Sequence, residues 1–273
     1  MSIQKKNALW FTLYGIFITV VFLYLFFPSD IVKSRLEEAV TSSDIILKSG
    51  SLKPSLPLGV KLKDITISSA SSGNSPFQGD LLDLQFNPLS IFQKNKSIGF
   101  SGRAYGGKFN GSLELASFSN VYPPREGDLN LQNVDLSKYT FLKTMIGRDI
   151  SGKAKGSLIY SSTNKAGNSS GIIDLVLTKG TYPLLEQFLG MNRVDFDIVE
   201  IKVRLLSSGL KLEKFAVSSP QIRCSFKGDI TLADIFKNSQ LKLNGEMELL
   251  GQNKAKMNVN IGGTIANPDL RYI

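Results

Sequence analysis

The sequence predicts a mainly β protein in which an N-terminal transmembrane helix precedes a coiled, bulged antiparallel sheet with a few short helices. Three observations predict this fold class. Residues 8–27 form an apolar run without charged side chains, and most later segments alternate between apolar and polar residues. Clusters of Gly, Asn, Asp and Ser separate those segments. One apolar and one polar face on each strand is typical of an antiparallel sheet with one solvated side.

The first element is the run 8–27, which as a helix is about 30 Å long and matches the hydrocarbon core of a bilayer. Trp10, Tyr14 and Tyr24 lie toward its two ends, where aromatic membrane anchors favour the headgroup layer. We therefore expect residues 8–27 to be a transmembrane anchor. The alternative is a cleaved secretory signal, but the apolar core of such a signal is usually shorter than this run.

The charges that flank the run predict its orientation. Lys5 and Lys6 precede it in a very short segment, which favours the cytoplasmic side of a membrane. We expect residues 1–7 to be a cytoplasmic tail and residues 28–273 to lie outside the cytoplasm. In a Gram-negative cell this places the anchor in the inner membrane and the bulk of the chain in the periplasm.

After the anchor, residues 28–44 are predicted to form a juxtamembrane amphipathic helix, and residues 45–273 a periplasmic β-rich domain. Alternation indicates roughly a dozen or more strands in that domain. Two short helices are expected between them. One covers residues 136–146 and the other residues 183–189, and each is followed by a glycine that suits a helix C-terminus.

One strand pattern occurs twice. Residues 59–69 align without gaps on residues 209–219, with five identical positions. In both segments the alternation slips by one residue, which predicts a β-bulge at Lys63–Asp64 and another at Glu213–Lys214. The segment 129–136 shows the same slip a third time.

The surroundings of this pattern are also similar. Ile91-Phe92-Gln93-Lys94-Asn95 in the first half corresponds to Ile235-Phe236-Lys237-Asn238 in the second, and each leads into a further strand. We interpret this as an internal repeat that covers about 52–115 and 201–262. The alternative is convergence, because β-rich sequences share such patterns without a common origin.

The composition excludes several classes of function. The chain contains no histidine, which excludes serine-type triads and most zinc sites. Its 32 Lys and Arg are interspersed with 23 Asp and Glu, which argues against a dedicated nucleic-acid interface. No carboxylate pair, nucleophile elbow or phosphate loop is present, so we expect no enzyme, no cofactor and no metal. The single cysteine, Cys224, is expected to be a buried structural thiol.

Bulged strands coil a sheet, because a bulge increases the local twist. An apolar face on a coiled sheet either closes on a filled core or lines an open groove that could hold acyl chains of lipids. The alternative of a filled core, with the short helices as lids, remains open at this point. The side chains expected to line such a groove are Ile65, Ile67, Leu82, Leu84, Phe86, Phe215, Val217, Ile222 and Phe226.

Five stretches carry a resemblance to a known family, and they are LKPSLPLGVKL at 52–62, PLSIF at 88–92, GGKFNG at 106–111, ISGKAKG at 150–156 and GTIANP at 263–268. In their order, the chain resembles the AsmA-like group of envelope proteins and, within it, the family of type II secretion system protein N. The resemblance implies an inner-membrane protein with a periplasmic β-rich domain and an accessory role in the secretion of folded proteins. It supplies no catalytic residues.

Two hypotheses about function follow. In the first, the protein is a non-catalytic scaffold or assembly factor whose partners are other secretion-system proteins, which could add strands to unpaired sheet edges. In the second, it is a lipid-binding or lipid-transfer module, as the AsmA-like resemblance also implies. The two hypotheses differ in whether lipid copurifies with the protein.

Overall fold

The computed structural model describes residues 3–41, 45–69, 77–87, 90, 96–116, 124–162, 169–188, 191–207, 209–250 and 254–272. Three α-helices share the described chain with the sheet, and they are α1 (Ile3–Leu25), α2 (Ser29–Val40) and α3 (Thr140–Ile146). The strands are β1 (Ile45–Lys48), β2 (Ser51–Ser55), β3 (Gly59–Ser69), β4 (Phe77–Phe86), β5 (Lys96–Ala104), β6 (Gly107–Leu115), β7 (Glu126–Asp135), β8 (Lys153–Ser162), β9 (Ser169–Phe188), β10 (Met191–Leu206), β11 (Gly209–Ser218), β12 (Ile222–Thr231), β13 (Gln240–Leu249), β14 (Ala255–Gly263) and β15 (Pro268–Tyr272).

All fifteen strands belong to one antiparallel sheet, which confirms the predicted mainly β class. From β3 onward each strand pairs with the next strand of the chain. At the start of the sheet, β1 and β2 lie end to end and both pair with β3. This meander contains only connections between neighbouring strands, so strand order follows chain order and each face of the sheet can be read from the register.

The N-terminal apolar run is helical over most of its length, since α1 spans Ile3–Leu25. The three aromatic residues predicted as membrane anchors, Trp10, Tyr14 and Tyr24, are all exposed, with 72%, 63% and 47% of their surface accessible. Among the described residues, no helix is both long and apolar enough to cross a membrane. The transmembrane anchor at 8–27 stays a prediction.

The predicted juxtamembrane helix is present as α2, although residues 42–44 of the interval 28–44 lie outside the described residues. It packs on β1 and β2. A carboxylate fixes its position, because Glu37 Oε1 accepts hydrogen bonds from Ser49 N at 2.7 Å and from Ser49 Oγ at 2.8 Å. The Nζ of Lys33 donates to the carbonyl of Gly50 at 3.3 Å.

Two of the three predicted bulges are confirmed. The register of β11 shifts between Leu212 and Phe215 against β12, and β10 shifts at the same level, which places the extra residue at Glu213–Lys214. The segment 129–136 also carries a bulge, since the register of β7 against β8 shifts between Leu131 and Val134. An extra residue restores the apolar face after each slip in the sequence.

The prediction of a bulge at Lys63–Asp64 is wrong. Lys63 pairs with Leu81 and Ile65 with Gly79, so β3 keeps its register against β4 through this point. Asp64 instead adopts a left-handed conformation with φ of 51°. The apolar alternation slips by one residue at the same level in both strands, so their pairing continues without an extra residue.

Of the two short helices, the first is confirmed and the second is not. Residues 136–146 form a 3-10 turn followed by α3, and Gly147 ends the helix with φ of 79°. The segment predicted as a helix at 183–189 is the end of β9 as far as Phe188, and residue 189 lies outside the described residues. Pro183 pairs with Arg193 of β10, so the ladder to β10 takes these residues into the sheet.

The predicted internal repeat stays a prediction. Its second copy contains a 3-10 helix at Phe236–Asn238. The corresponding segment of the first copy, residues 91–95, lies outside the described residues. Each copy nevertheless falls on consecutive antiparallel strands, β2 to β6 and β10 to β14.

Candidate functional site: the apolar face of the sheet

One face of the sheet is apolar across its whole extent. Following the register from β3 to β15 traces a single row of directly paired residues that contains only apolar side chains, one tyrosine and glycines. Twelve steps of about 4.8 Å make this row about 58 Å long. Its members are Leu62, Leu82, Gly102, Phe109, Leu131, Gly156, Leu175, Ile201, Phe215, Phe226, Gly245, Val259 and Tyr272.

Ion pairs between neighbouring strands lie on the opposite face. Glu200 precedes Ile201 of the row, and its carboxylate is 2.7 Å from Lys214 Nζ on the neighbouring strand. Lys256 and Glu246 form a similar pair at 2.7 Å. These pairs are exposed and each adds little to stability. Their position shows that one face of the sheet is solvated and polar, whereas the other carries the apolar surface.

The apolar face is covered at its N-terminal end. Leu62 and Ile65, with 0% and 1% of their surface exposed, belong to a buried cluster there. The cluster is covered by Val32 and Leu36 of α2 and by Phe27, which precedes this helix. We call this region the covered end.

A second buried cluster lies toward the C-terminal end of the same face. It contains Ile222, Cys224 and Phe226 of β12 with Met247 and Val259 of the next two strands. Residues from the start of the long strand β10 pack against it. The sheet therefore coils far enough for a strand two positions away in strand order to contact this cluster.

Between the two clusters the same face is unevenly buried, because Ala154, Val199 and Val203 are buried whereas other apolar residues are only partly buried. We call this region the central groove and define it by six residues on β7 to β10. None of them belongs to either buried cluster, although all six lie on the apolar face by register. They are Leu129, Leu131, Leu158, Ile173, Leu175 and Ile201.

Glycines allow bulky side chains to lie flat on this face. A Cβ added to Gly111 would lie 2.7 Å from the ring of Phe100 and would also clash with the carbonyl of Asp128. Phe100 and Phe109 pack with their ring centroids 6.3 Å apart. The rings thus occupy the space above the glycines, where a side chain would otherwise lie.

The surface area of the chain is large for its mass. A compact monomer of 29.9 kDa has an accessible surface of about 11,700 Å². This chain has 17729 Å². The exposed helix α1 contributes to the excess, and so does a single sheet that is not packed against a second sheet.

Helix α3 contacts the 3-10 helix Phe236–Asn238. Because every strand is antiparallel to its neighbours, the end of β7 and the end of β12 lie on opposite rims of the sheet. Their connecting segments nevertheless meet. The sheet is therefore strongly coiled, and one contact joins its two rims.

The sequence-predicted groove residues all occupy the apolar face, but in two separate groups. Ile65 and four partners, Ile67, Leu82, Leu84 and Phe86, belong to the covered end or pack against it. Phe215, Val217, Ile222 and Phe226 belong to the C-terminal cluster or pack against it. The six residues of the central groove were missed. The alternation of β7 to β10 carries the same signal, and only the register connects those strands to the predicted groups.

The buried Cys224 and the partly buried Tyr105 and Tyr139 have perturbed pKa values. Burial raises the pKa of the Cys224 thiol to about 11, against a smaller lowering by a hydrogen bond with the backbone of Val217. Tyr105 and Tyr139 pack with ring centroids 5.0 Å apart, and burial raises the pKa of both phenols. The thiol is therefore protonated at neutral pH and unreactive, as expected of a structural cysteine.

No cluster of His, Cys, Asp or Glu side chains that could hold a metal ion occurs among the residues described. The partly buried Asp195 and the exposed Asp197 lie two residues apart on β10, and Asp195 Oδ1 is 3.2 Å from Arg193 Nε. What the geometry offers is an apolar surface for binding.

Comparisons with known proteins found no matching family model, no similar curated protein and no similar solved structure.

Proposed function

We propose that this protein is a membrane-anchored, non-catalytic component of the bacterial cell envelope that binds acyl chains of lipids in the central groove. The observation that carries the proposal is the uninterrupted apolar row across the sheet, combined with the partial exposure of its central part. Contact between water and such a surface is unfavourable. Each methylene of a bound acyl chain that replaces this water contributes about 0.8 kcal/mol to the free energy of binding.

The chemistry of the groove matches an acyl chain better than it matches a peptide. A peptide requires hydrogen-bonding partners for its backbone when it is buried. The row from β7 to β10 offers only aliphatic side chains and one glycine, Gly156. An acyl chain has no hydrogen-bonding groups and needs none from the groove. No cofactor is part of this proposal.

For the membrane we propose that residues 8–27 anchor the protein in the inner membrane, with residues 1–7 in the cytoplasm and residues 28–273 in the periplasm. The uncharged apolar run and the exposure of Trp10 and Tyr14 support this, since both features are typical of lipid-facing helices.

Two neighbouring isoleucines test the lipid groove. Ile173 faces the groove, and Ile172, with 39% of its surface exposed, faces away from it on the same strand. Full-chain protein purified from membranes in detergent should carry phospholipid, detected by native mass spectrometry and lipid extraction. The Ile173→Asp variant should lose most of this lipid, whereas Ile172→Asp should keep it.

Circular dichroism and thermal unfolding of both variants separate lipid loss from unfolding. A wild-type protein without lipid, or equal lipid in the two variants, would contradict the groove. Unfolding of Ile173→Asp alone, without lipid in the wild type, would indicate a filled core at this position.

A second proposal is an accessory role in type II protein secretion, with other secretion-system proteins as partners. It is supported by the sheet edges, because within the described residues β15 pairs only with β14 and leaves an edge for strand addition. A photo-crosslinking amino acid at Leu270 on β15 should capture secretion components in cells. The same amino acid at Lys227 on the interior strand β12 should not. Equal capture at both positions would contradict this role.

A further inference from the structure

We propose that a lysine-lined cleft at the end of α1 binds the phosphate group of an anionic phospholipid. The cleft has a volume of about 290 Å³ and lies between Tyr24 of α1 and the polar face of β2 and β3. Lys53, Lys61 and Lys63 line it together with Ser55. It lies on the face of the sheet opposite the groove, since Leu52 and Leu62 of the same strands point to the buried cluster.

The lysines are arranged with too little negative charge to balance them. The register places Lys53 directly across from Lys61, and like charges in that position destabilise a sheet. Lys63 lies two residues farther along the same face. In the part of the chain that the structure describes, neither Lys53 nor Lys63 has an ion-pair partner.

Of the three lysines, Lys61 alone has a carboxylate within ion-pair distance among the described residues. Asp83 Oδ2 is 3.4 Å from Lys61 Nζ. The same carboxylate accepts hydrogen bonds from Ser55 Oγ at 3.1 Å and from Gln85 Nε2 at 2.7 Å, so it is held on the Lys61 side. The cleft therefore carries a surplus of positive charge, which a phosphate oxygen would relieve through charge-assisted hydrogen bonds.

Two features place this cleft against a membrane. Tyr24 lies in the last turn of α1, where an aromatic ring marks the headgroup layer. Leu56 and Leu58, in the turn between β2 and β3, are 64% and 54% exposed, and Leu56 also lines the cleft. Exposed leucines beside an aromatic ring and lysines are typical of a surface that contacts the lipid interface.

This inference rests on the proposed insertion of α1 and is independent of acyl binding in the groove. Phosphate chemistry alone does not distinguish a lipid headgroup from phosphate in solution. The charge on the cleft attracts both, whereas Leu56 and Tyr24 favour the headgroup, because they add apolar contact at the depth where headgroups lie.

The test uses full-chain protein in phosphatidylcholine nanodiscs with and without phosphatidylglycerol. The number of retained phosphatidylglycerol molecules is measured by native mass spectrometry. The double variant Lys53→Gln/Lys63→Gln should bind phosphatidylglycerol about 30-fold more weakly than the wild type, because each lysine near an anionic surface contributes on the order of a factor of five. The control, Lys155→Gln/Lys227→Gln, removes two exposed lysines from other strands and should bind as the wild type does.

Inorganic phosphate, added to the nanodiscs, identifies the source of the phosphate. If it displaces phosphatidylglycerol and binds equally well in pure phosphatidylcholine discs, the headgroup assignment is overturned. Equal retention by the lysine variant and the control would overturn the site itself. Failure of the protein to co-elute with the discs would overturn the anchor and this cleft together. Loss of lipid in Ile173→Asp is a separate readout, which the lysine substitutions should not change.

Discussion

The covered end of the sheet and the central groove consist of the same kinds of residue but differ in what lies over them. Leu62 at the covered end is fully buried, because α2 and the preceding Phe27 pack onto its cluster. Leu129 in the central groove occupies an equivalent position on the same face and is only partly buried. The alternation of apolar and polar residues places both leucines on this face. Only Leu62 is fully buried, because α2 packs over its cluster.

An apolar sheet face is therefore not by itself a binding site. At the covered end it is the ordinary interior of a protein, stabilised by burial against α2. In the central groove six residues of the same kind are only partly buried. The candidate site is therefore defined by this partial burial, and a charge placed on each region should distinguish the two.

The largest effect is expected from a charge at the covered end. Leu62→Asp places a carboxylate in a fully buried position without a partner, which should lower the free energy of unfolding by about 4 kcal/mol or more. Leu129→Asp should cost only about 1 kcal/mol, since its carboxylate can reach water from the groove. Denaturant unfolding followed by circular dichroism measures both.

The matched control for Leu129→Asp is Asn130→Asp, which introduces the same carboxylate on the polar face of the same strand. It should leave stability unchanged to within about 0.5 kcal/mol. If Leu129→Asp were as damaging as Leu62→Asp, the central groove would be a filled core, and the comparison between the two regions would fail.

A smaller loss is expected where glycine lets a ring lie across the sheet. Gly111→Ala places a methyl group against the ring of Phe100 and the carbonyl of Asp128, which should lower the free energy of unfolding by about 1–3 kcal/mol. Gly262→Ala is the control, because nothing lies within 4 Å of a Cβ added there. Equal stability of the two variants would show that the position of Gly111 tolerates a methyl group. The close packing of Phe100 on this glycine would then be contradicted.

The local signals in the sequence predicted much of this fold. Alternation identified the strands, and a slip of one residue identified the bulge at Glu213–Lys214. The same slip misled at Lys63–Asp64, because the alternation of β4 slips together with that of β3 and the register is kept. A single strand does not reveal what its neighbour does at the same level, so no local pattern could separate these two cases.

Long-range pairing also explains the two main misses. The spacing of Leu184, Leu185 and Phe188 fits a helix, but pairing with β10 extends β9 through this segment. The central groove was missed for a related reason. Its members, such as Leu158 and Ile173, become neighbours only through the register of β8 and β9, and alternation within one strand does not state which strand lies beside it.

The attachment of α2 to the sheet can also be tested by mutation. Glu37→Ala removes the two hydrogen bonds from Ser49, one of whose donors is a buried hydroxyl. This should lower the free energy of unfolding by about 1–2 kcal/mol. Uncovering the cluster below α2 should also raise the fluorescence of an apolar dye. Glu38→Ala, which loses only an exposed pair with Arg35, should change neither quantity, and a response as large as that of Glu37→Ala would contradict the role of this contact.

The smallest effect is on the reactivity of the single cysteine, which reports on the C-terminal cluster without changing any residue. Because burial raises the pKa of Cys224 to about 11, the thiol stays protonated until well above neutral pH. The rate of alkylation by iodoacetamide should therefore rise about tenfold per pH unit from pH 8 to pH 10 without reaching a plateau.

In denaturant the thiol returns to an ordinary pKa near 8.5, and the same profile should level off about two units earlier. The unfolded chain releases this proton first, so stability is complete below pH 8.5 and declines as the pH rises toward 11. A native profile that levels off near pH 9 would place Cys224 in contact with solvent. The C-terminal cluster would then be open like the central groove, and the groove would extend farther along the sheet toward β15.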